Sequence, residues 1–130
     1  MIAQLLPYLE PRTIASGEHL IRQGEPSTDL FFVEQGRVTI QLEISGRAPV
    51  RLRSMGAGTV VGEVALYLRE PRSASVVAEE EVRAHRLTLD ALDRMTKQNP
   101  ALATAFNEFI VRLLGTRLVE TNRMLRAMMD

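Results

Sequence analysis

No cysteine occurs among the 130 residues. That excludes a disulfide framework and a thiolate metal site, and it agrees with a reducing, cytoplasmic compartment. Histidine is nearly as scarce. His19 and His85 are the two present, and neither stands in a paired spacing such as HxH or HExxH, so a metal centre has little to draw on. Neither charge sign is in excess: 16 Lys and Arg balance 16 Asp and Glu. The cation surplus behind non-specific nucleic-acid binding is therefore missing, and nucleic acid is not an expected partner. No apolar run reaches transmembrane length and no secretory signal opens the chain, so these residues are expected to make no membrane contact. There is no GxSxG, GxxxxGKS or GxxxxGKT either. No catalytic residue, metal or cofactor is assigned, and an enzyme is not expected.

What is present fits one domain with its own core. Met1 to Glu10, MIAQLLPYLE, is apolar and broken by Pro7 and Pro11, which predicts a helical turn or two entering the domain. A start at that point suits a segment of a longer protein. From about residue 12 to residue 89 the pattern is that of short strands. RVTIQLEI, Arg37 to Ile44, alternates, with Val38, Ile40, Leu42 and Ile44 on one face and Arg37, Thr39, Gln41 and Glu43 on the other. DLFFVEQG and PVRLRSM carry weaker versions. Glycines recur between these runs as turn or bulge residues. The reading is mainly β, about eight strands forming a sandwich, barrel or jelly roll, followed by helices.

From Thr88 the period becomes helical. Thr88 caps a helix over residues 89–98, and Asn99 caps a second that Pro100 opens and that runs to about residue 129. The first half of that helix presents a broad apolar face of Leu102, Ala105, Phe106, Phe109, Ile110 and Leu113. Its second half keeps a narrower stripe, Val111, Leu114, Leu118, Thr121, Leu125 and Met128. Such a stripe suits a helix–helix seam, and hence a homodimer, as well as it suits packing on the chain's own barrel. Gly115 weakens the helix midway and offers a place to bend. His19 and His85 read as surface strand residues, Met124, Met128 and Met129 as adaptable packing, and Glu79 to Glu81 as a solvated turn.

Within the strand region, VVGEVALYLREPRSASVVA, Val60 to Ala78, interrupts the pattern. Glu63 to Leu68 predicts a helix of little more than one turn. Gly62 permits close backbone approach, and the helix start offers unpaired N–H groups to an anion. Arg72 supplies a planar fork suited to phosphate, and Ser73 a hydroxyl beside it. Glu63, when ionised, accepts from hydroxyl donors such as those of ribose. An anion pocket edged by one carboxylate fits a sugar phosphate. An Arg and a Glu near a Gly also describe an ordinary surface ion pair.

The whole stretch resembles the phosphate-binding cassette of cyclic nucleotide-binding domains: Gly-Glu, a short apolar helix, then Pro-Arg-small-Ala. SGEHLIRQGEPSTDLFFVEQGRVTI resembles the opening strands of the same family, with Gly17, Gly24, Asp29 and Gly36 in place, and Gly58 matches the glycine leading into the cassette. The resemblance implies a jelly-roll β-barrel flanked by helices, with cyclic AMP or cyclic GMP as ligand. It places Glu63 on the ribose 2′-hydroxyl and Arg72 on the cyclic phosphate. Gly62, Val64, Ala65, Ser73 and Ala74 would add backbone or hydroxyl contacts, and the last helix would cover the base through Arg117 or Thr121. It further implies a sensor that regulates an attached or partner protein by movement of that helix. Val61 departs from the family pattern, standing where an aromatic is common. The family's transcription factors carry a winged helix-turn-helix after the long helix, which residues 1–130 do not contain, so no DNA-binding role is expected within them. FIVRLLGTRLVETNRMLRAMM is similar to tails of bacterial sulfate-transporter-type proteins, which would make this a regulatory domain of a membrane transporter. The competing reading is a structural or dimerisation module of the same fold. Ser73 either reads a guanine amino group or bonds only the phosphate. The second use is the less demanding, so both nucleotides are expected to bind, with a modest preference for cyclic AMP.

Overall fold

The computed structural model describes residues 2–129. The chain opens with a single helical turn, α1 (Ile2–Leu5), and a 3-10 turn (Leu6–Tyr8). Eight strands follow among the described residues: β1 (Glu10–Ile14), β2 (His19–Ile21), β3 (Leu30–Gln35), β4 (Val38–Leu42), β5 (Val50–Met55), β6 (Val60–Val61), β7 (Ser75–Ala78) and β8 (Val82–Leu87). A short helix, α2 (Glu63–Leu68), separates β6 from β7, and α3 (Leu89–Gln98) and α4 (Pro100–Met129) close the chain. The strands form two antiparallel four-stranded sheets in the orders β1-β8-β3-β6 and β2-β7-β4-β5. This is the jelly-roll arrangement expected from the sequence.

The barrel starts at Glu10 rather than at residue 12, because Pro11 does not exclude a strand here. β1 is an edge, bonded to β8 alone, and an edge tolerates a missing N–H. Beyond β4 the alternation also ends early. The backbone of Glu43 is taken by the Gln23 side-chain amide, which accepts from Glu43 N at 2.8 Å and donates to Glu43 O at 3.1 Å. Ile44 therefore lies outside the strand and is exposed, not on the inward face. Glu79 does more than solvate a turn. It accepts from Thr39 Oγ1 and Ser54 Oγ, both at 2.6 Å. Those bonds from Ser54 and Thr39, aided by Arg37 and Arg51, hold its carboxyl below the usual range.

Apolar residues between the sheets, among them Phe31, Val38, Val76 and Val82, make one core. A second lies under the helices, where Leu5, Leu66, Met95, Phe106 and Ile110 meet Leu30 and Leu87. The caps are as the sequence predicts: Thr88 Oγ1 accepts from Ala91 N at 3.1 Å and Asn99 Oδ1 from Leu102 N at 3.2 Å. On α4, Ala103 is buried and Ala105 exposed, the reverse of expectation, because 103 sits nearer the centre of the face set by Leu102, Phe106 and Ile110. The helix runs unbroken through Gly115. Leu114 joins the core, but the rest of the stripe does not bury itself on the barrel: Leu118 is 62% and Met128 80% exposed.

Candidate functional site

Gly62 adopts φ +87°, a left-handed conformation that turns β6 directly into α2. A Cβ there would sit 2.7 Å from Asp29 O and 2.9 Å from both Arg72 Nη1 and Ile21 Cδ1. Only glycine lets the β2–β3 loop, the cassette and the arginine converge. α2 has no side-chain cap, so its first N–H groups are left for another acceptor. It ends at Arg69, a left-handed residue whose N–H bonds Ala65 O at 2.8 Å, and Pro71 and Arg72 then lead into β7.

Arg72 is 6% exposed. Its Nε donates to Ser27 Oγ at 3.1 Å, Nη1 to Gly62 O at 3.0 Å and Nη2 to Asp29 O at 2.5 Å. Its backbone pairs with the same loop, N to Glu25 O at 2.9 Å and O from Gly24 N at 2.8 Å. No carboxylate forms an ion pair with it among the described residues. Burial pulls its pKa below the ordinary arginine value, while the nearby charges of Asp29, Glu25 and Glu63 oppose that pull. The guanidinium has five N–H donors, and three are engaged, one from each nitrogen.

Glu63 is also buried, at 5% exposure. Arg117 of α4 reaches it: Nη1 donates to Glu63 Oε1, and Nη2 to Val60 O at 2.5 Å and Thr59 Oγ1 at 3.3 Å. Arg72, Glu63 and Arg117 border a cavity of about 490 Å³. One wall is the cassette, with Gly62, Glu63, Val64, Ala65, Arg72, Ser73 and Ala74 all on it. The opposite wall is β5 and the second half of α4, including Thr121.

All seven cassette residues singled out in the sequence thus share one cavity, and both candidate lid residues border it. Their engagement differs from expectation in two places. The Arg117 fork is spent on Glu63 and on the end of β6 instead of standing free for a base edge. The Thr121 hydroxyl donates back to Arg117 O at 2.9 Å. Sequence reading missed Ser27, Thr59, Arg53 and the cavity-lining role of Met124 and Met128. Ser27 and Thr59 carry no local signal, because they meet the site only through partners dozens of residues away. The methionines did carry one, since 121, 124, 125 and 128 fall on one helical face.

Residues 11–99 match the cyclic nucleotide-binding domain family. A cyclic nucleotide-gated potassium channel of Rhizobium etli is 31% identical over 114 residues, covering 88% of this chain and 30% of the channel. A CRP-like cAMP-activated global transcriptional regulator of Mycobacterium tuberculosis is 30% identical over 121 residues, 93% of this chain and 52% of the regulator. The chain therefore spans about half or less of these relatives. A cyclic nucleotide-binding domain from Methylobacillus flagellatus superposes with a TM-score of 0.85 at 26% identity, covering 92% of this chain and 67% of that one. With the family matched over more than half of its length, and with a jelly roll carrying the Gly-Glu to Pro-Arg-Ser-Ala cassette on one cavity, the chain belongs to the cyclic nucleotide-binding domain family, a regulatory, non-catalytic fold.

Proposed function

We propose that the cavity takes cyclic AMP or cyclic GMP and that the domain is a sensor regulating an attached protein. One observation carries this reading: the guanidinium of Arg72 is buried, borders a cavity and forms no ion pair with a carboxylate among the described residues. Buried charges are ordinarily paired. Here an anion in the cavity is the missing partner, and the uncapped first turn of α2 faces the same requirement. Glu63 receives the ribose 2′-hydroxyl, Arg72 the cyclic phosphate, and Gly62, Val64, Ala65, Ser73 and Ala74 the remaining contacts of phosphate and sugar. Because Arg117 already bonds Glu63, a ribose hydroxyl shares or displaces that bond, and occupancy of the cavity is felt on α4. The difference in affinity between the two placements of α4 limits the output. The exposed stripe of α4 serves association with a second copy. The attached effector is a channel, transporter or regulator, and the likeness of the tail to sulfate-transporter-type proteins is one reason to look among transporters. A module that associates without ligand is the second reading, favoured by that same exposed stripe.

Calorimetric and melting titrations separate the two. Either nucleotide at about 100 times its dissociation constant is expected to add about 2.7 kcal/mol of stability. A folded, ligand-free protein that shows no melting shift with either nucleotide at millimolar concentration leaves only the association module.

The lid role of α4 has its own test. Leu114 packs on the core, so the informative truncation removes residues 116–130. The barrel is expected to stay folded, while ligand binds more weakly and leaves faster, since Arg117, Thr121, Met124 and Met128 are lost from the cavity wall. Unchanged dissociation kinetics would place the lid elsewhere.

A further inference from the structure

Three methionines, Met124, Met128 and Met129, crowd the end of α4, and two of them belong to the cavity. Met124 and Met128 border it on the same helical face as Thr121 and Leu125. Both are largely open to solvent, Met124 at 57% and Met128 at 80% exposure, so they stand where the cavity wall meets water. Met129 is more exposed still, at 85%, and does not border the cavity. Met95 is fully buried. Met55 borders the cavity from β5 but is half-buried, and its sulfur accepts from Thr59 Oγ1 at 3.8 Å. The chain has no cysteine, so no thiol competes for an oxidant and the thioethers are its only oxidisable sulfurs.

We infer that Met124 and Met128 form a redox-sensitive modification site, at which two-electron oxidation by a hydroperoxide lowers the affinity of the cavity for its nucleotide. The inference rests on the cyclic-nucleotide reading of the cavity. The step is an oxygen-atom transfer. The sulfur lone pair attacks one peroxide oxygen and an S–O bond forms. The O–O bond breaks, the displaced hydroxide takes the proton of the transferred oxygen, and water leaves. Sulfur is oxidised by two electrons and the peroxide is reduced. The product, methionine sulfoxide, is polar where the thioether was apolar. A ligand in the cavity then covers an S=O group beside apolar neighbours such as Leu125. The donors of that face are already engaged: Thr121 Oγ1 donates to Arg117 O, and Arg117 donates to Glu63 and to Val60 O. An acceptor covered without a donor costs affinity.

Calorimetric titration of cyclic AMP and cyclic GMP before and after mild treatment with hydrogen peroxide, with oxidised residues mapped by mass spectrometry, decides the matter. Oxidation of the wild-type domain at Met124 and Met128 is expected to weaken binding by about fivefold or more. Methionine sulfoxide reductases are expected to restore it. Bound nucleotide is expected to slow oxidation at these two positions and not at Met129. Met129→Leu is expected to keep the sensitivity. The double variant Met124→Leu, Met128→Leu is expected to lose it, its own affinity being the same before and after peroxide. A loss that persists in the double variant overturns the assignment, as does a wild-type domain oxidised at both positions that binds as before. A loss that appears only where sedimentation shows a dimer falling apart places the effect on the exposed stripe of α4, and overturns it too. A domain that binds neither nucleotide before treatment overturns the underlying cavity reading, and the methionine assignment falls with it.

Discussion

Replacing Arg72 by alanine is expected to lower cyclic-nucleotide affinity by at least about tenfold and to loosen the β2–β3 loop at the same time. A hydrogen bond to a charged group contributes roughly 1.5–3 kcal/mol, and even the lower figure is a factor of ten. The second effect follows from what the side chain does without ligand. It holds Ser27, Gly62 O and Asp29 O together, and its loss leaves those carbonyls short of a donor. Glu63→Gln is expected to weaken binding less, because a neutral acceptor remains for the ribose and for Arg117. Calorimetric titration of both variants, each checked for a cooperative melt, measures the division of roles. A folded Arg72→Ala protein that binds like wild type refutes the phosphate assignment. A Glu63→Gln protein weaker than Arg72→Ala reverses the roles.

Much of this site was legible because its pieces are contiguous. Gly62 to Ala74 is one local device, and its helix, turn and arginine can be read from the run itself. The helix caps at Thr88 and Asn99 were legible for the same reason, each being a side chain that bonds an N–H three residues on. What sequence did not reveal is set by distant pairing. Arg72 spends its donors on a loop some 45 residues away, so its second task, closing that loop, has no signature beside it. Arg117 reads as one of several helix arginines until the fold brings Glu63 to it. The register shift between β4 and β5, where Ile40 is opposite Arg53 and Gln41 opposite Arg51, is invisible in PVRLRSM, because register belongs to two strands and not to one. Ile44 misled for a related reason: alternation continues in the sequence after the hydrogen bonds that make it a strand have ended.

Gly62→Ala is expected to destabilise the domain strongly and to disturb the cavity with it. Two costs add. A non-glycine residue held at φ +87° carries roughly 1–2 kcal/mol of backbone strain. The added Cβ also meets a backbone oxygen, Asp29 O, at 2.7 Å, so relief requires moving the β2–β3 loop or the arginine bonded to it, an overpacking cost of about 1–3 kcal/mol. Together these are on the order of 2–5 kcal/mol, which for a domain of this size is a fall in melting temperature on the order of 10 °C. Gly46→Ala separates the terms. Gly46 has φ +75° but nothing within 4 Å of its Cβ position, so it reports the strain alone. If thermal melts of the two variants coincide, the close approach at Gly62 contributes nothing. If Gly62→Ala is the lower by several degrees and also binds ligand more weakly, the convergence of loop, cassette and Arg72 on that glycine is what sets the phosphate end of the cavity.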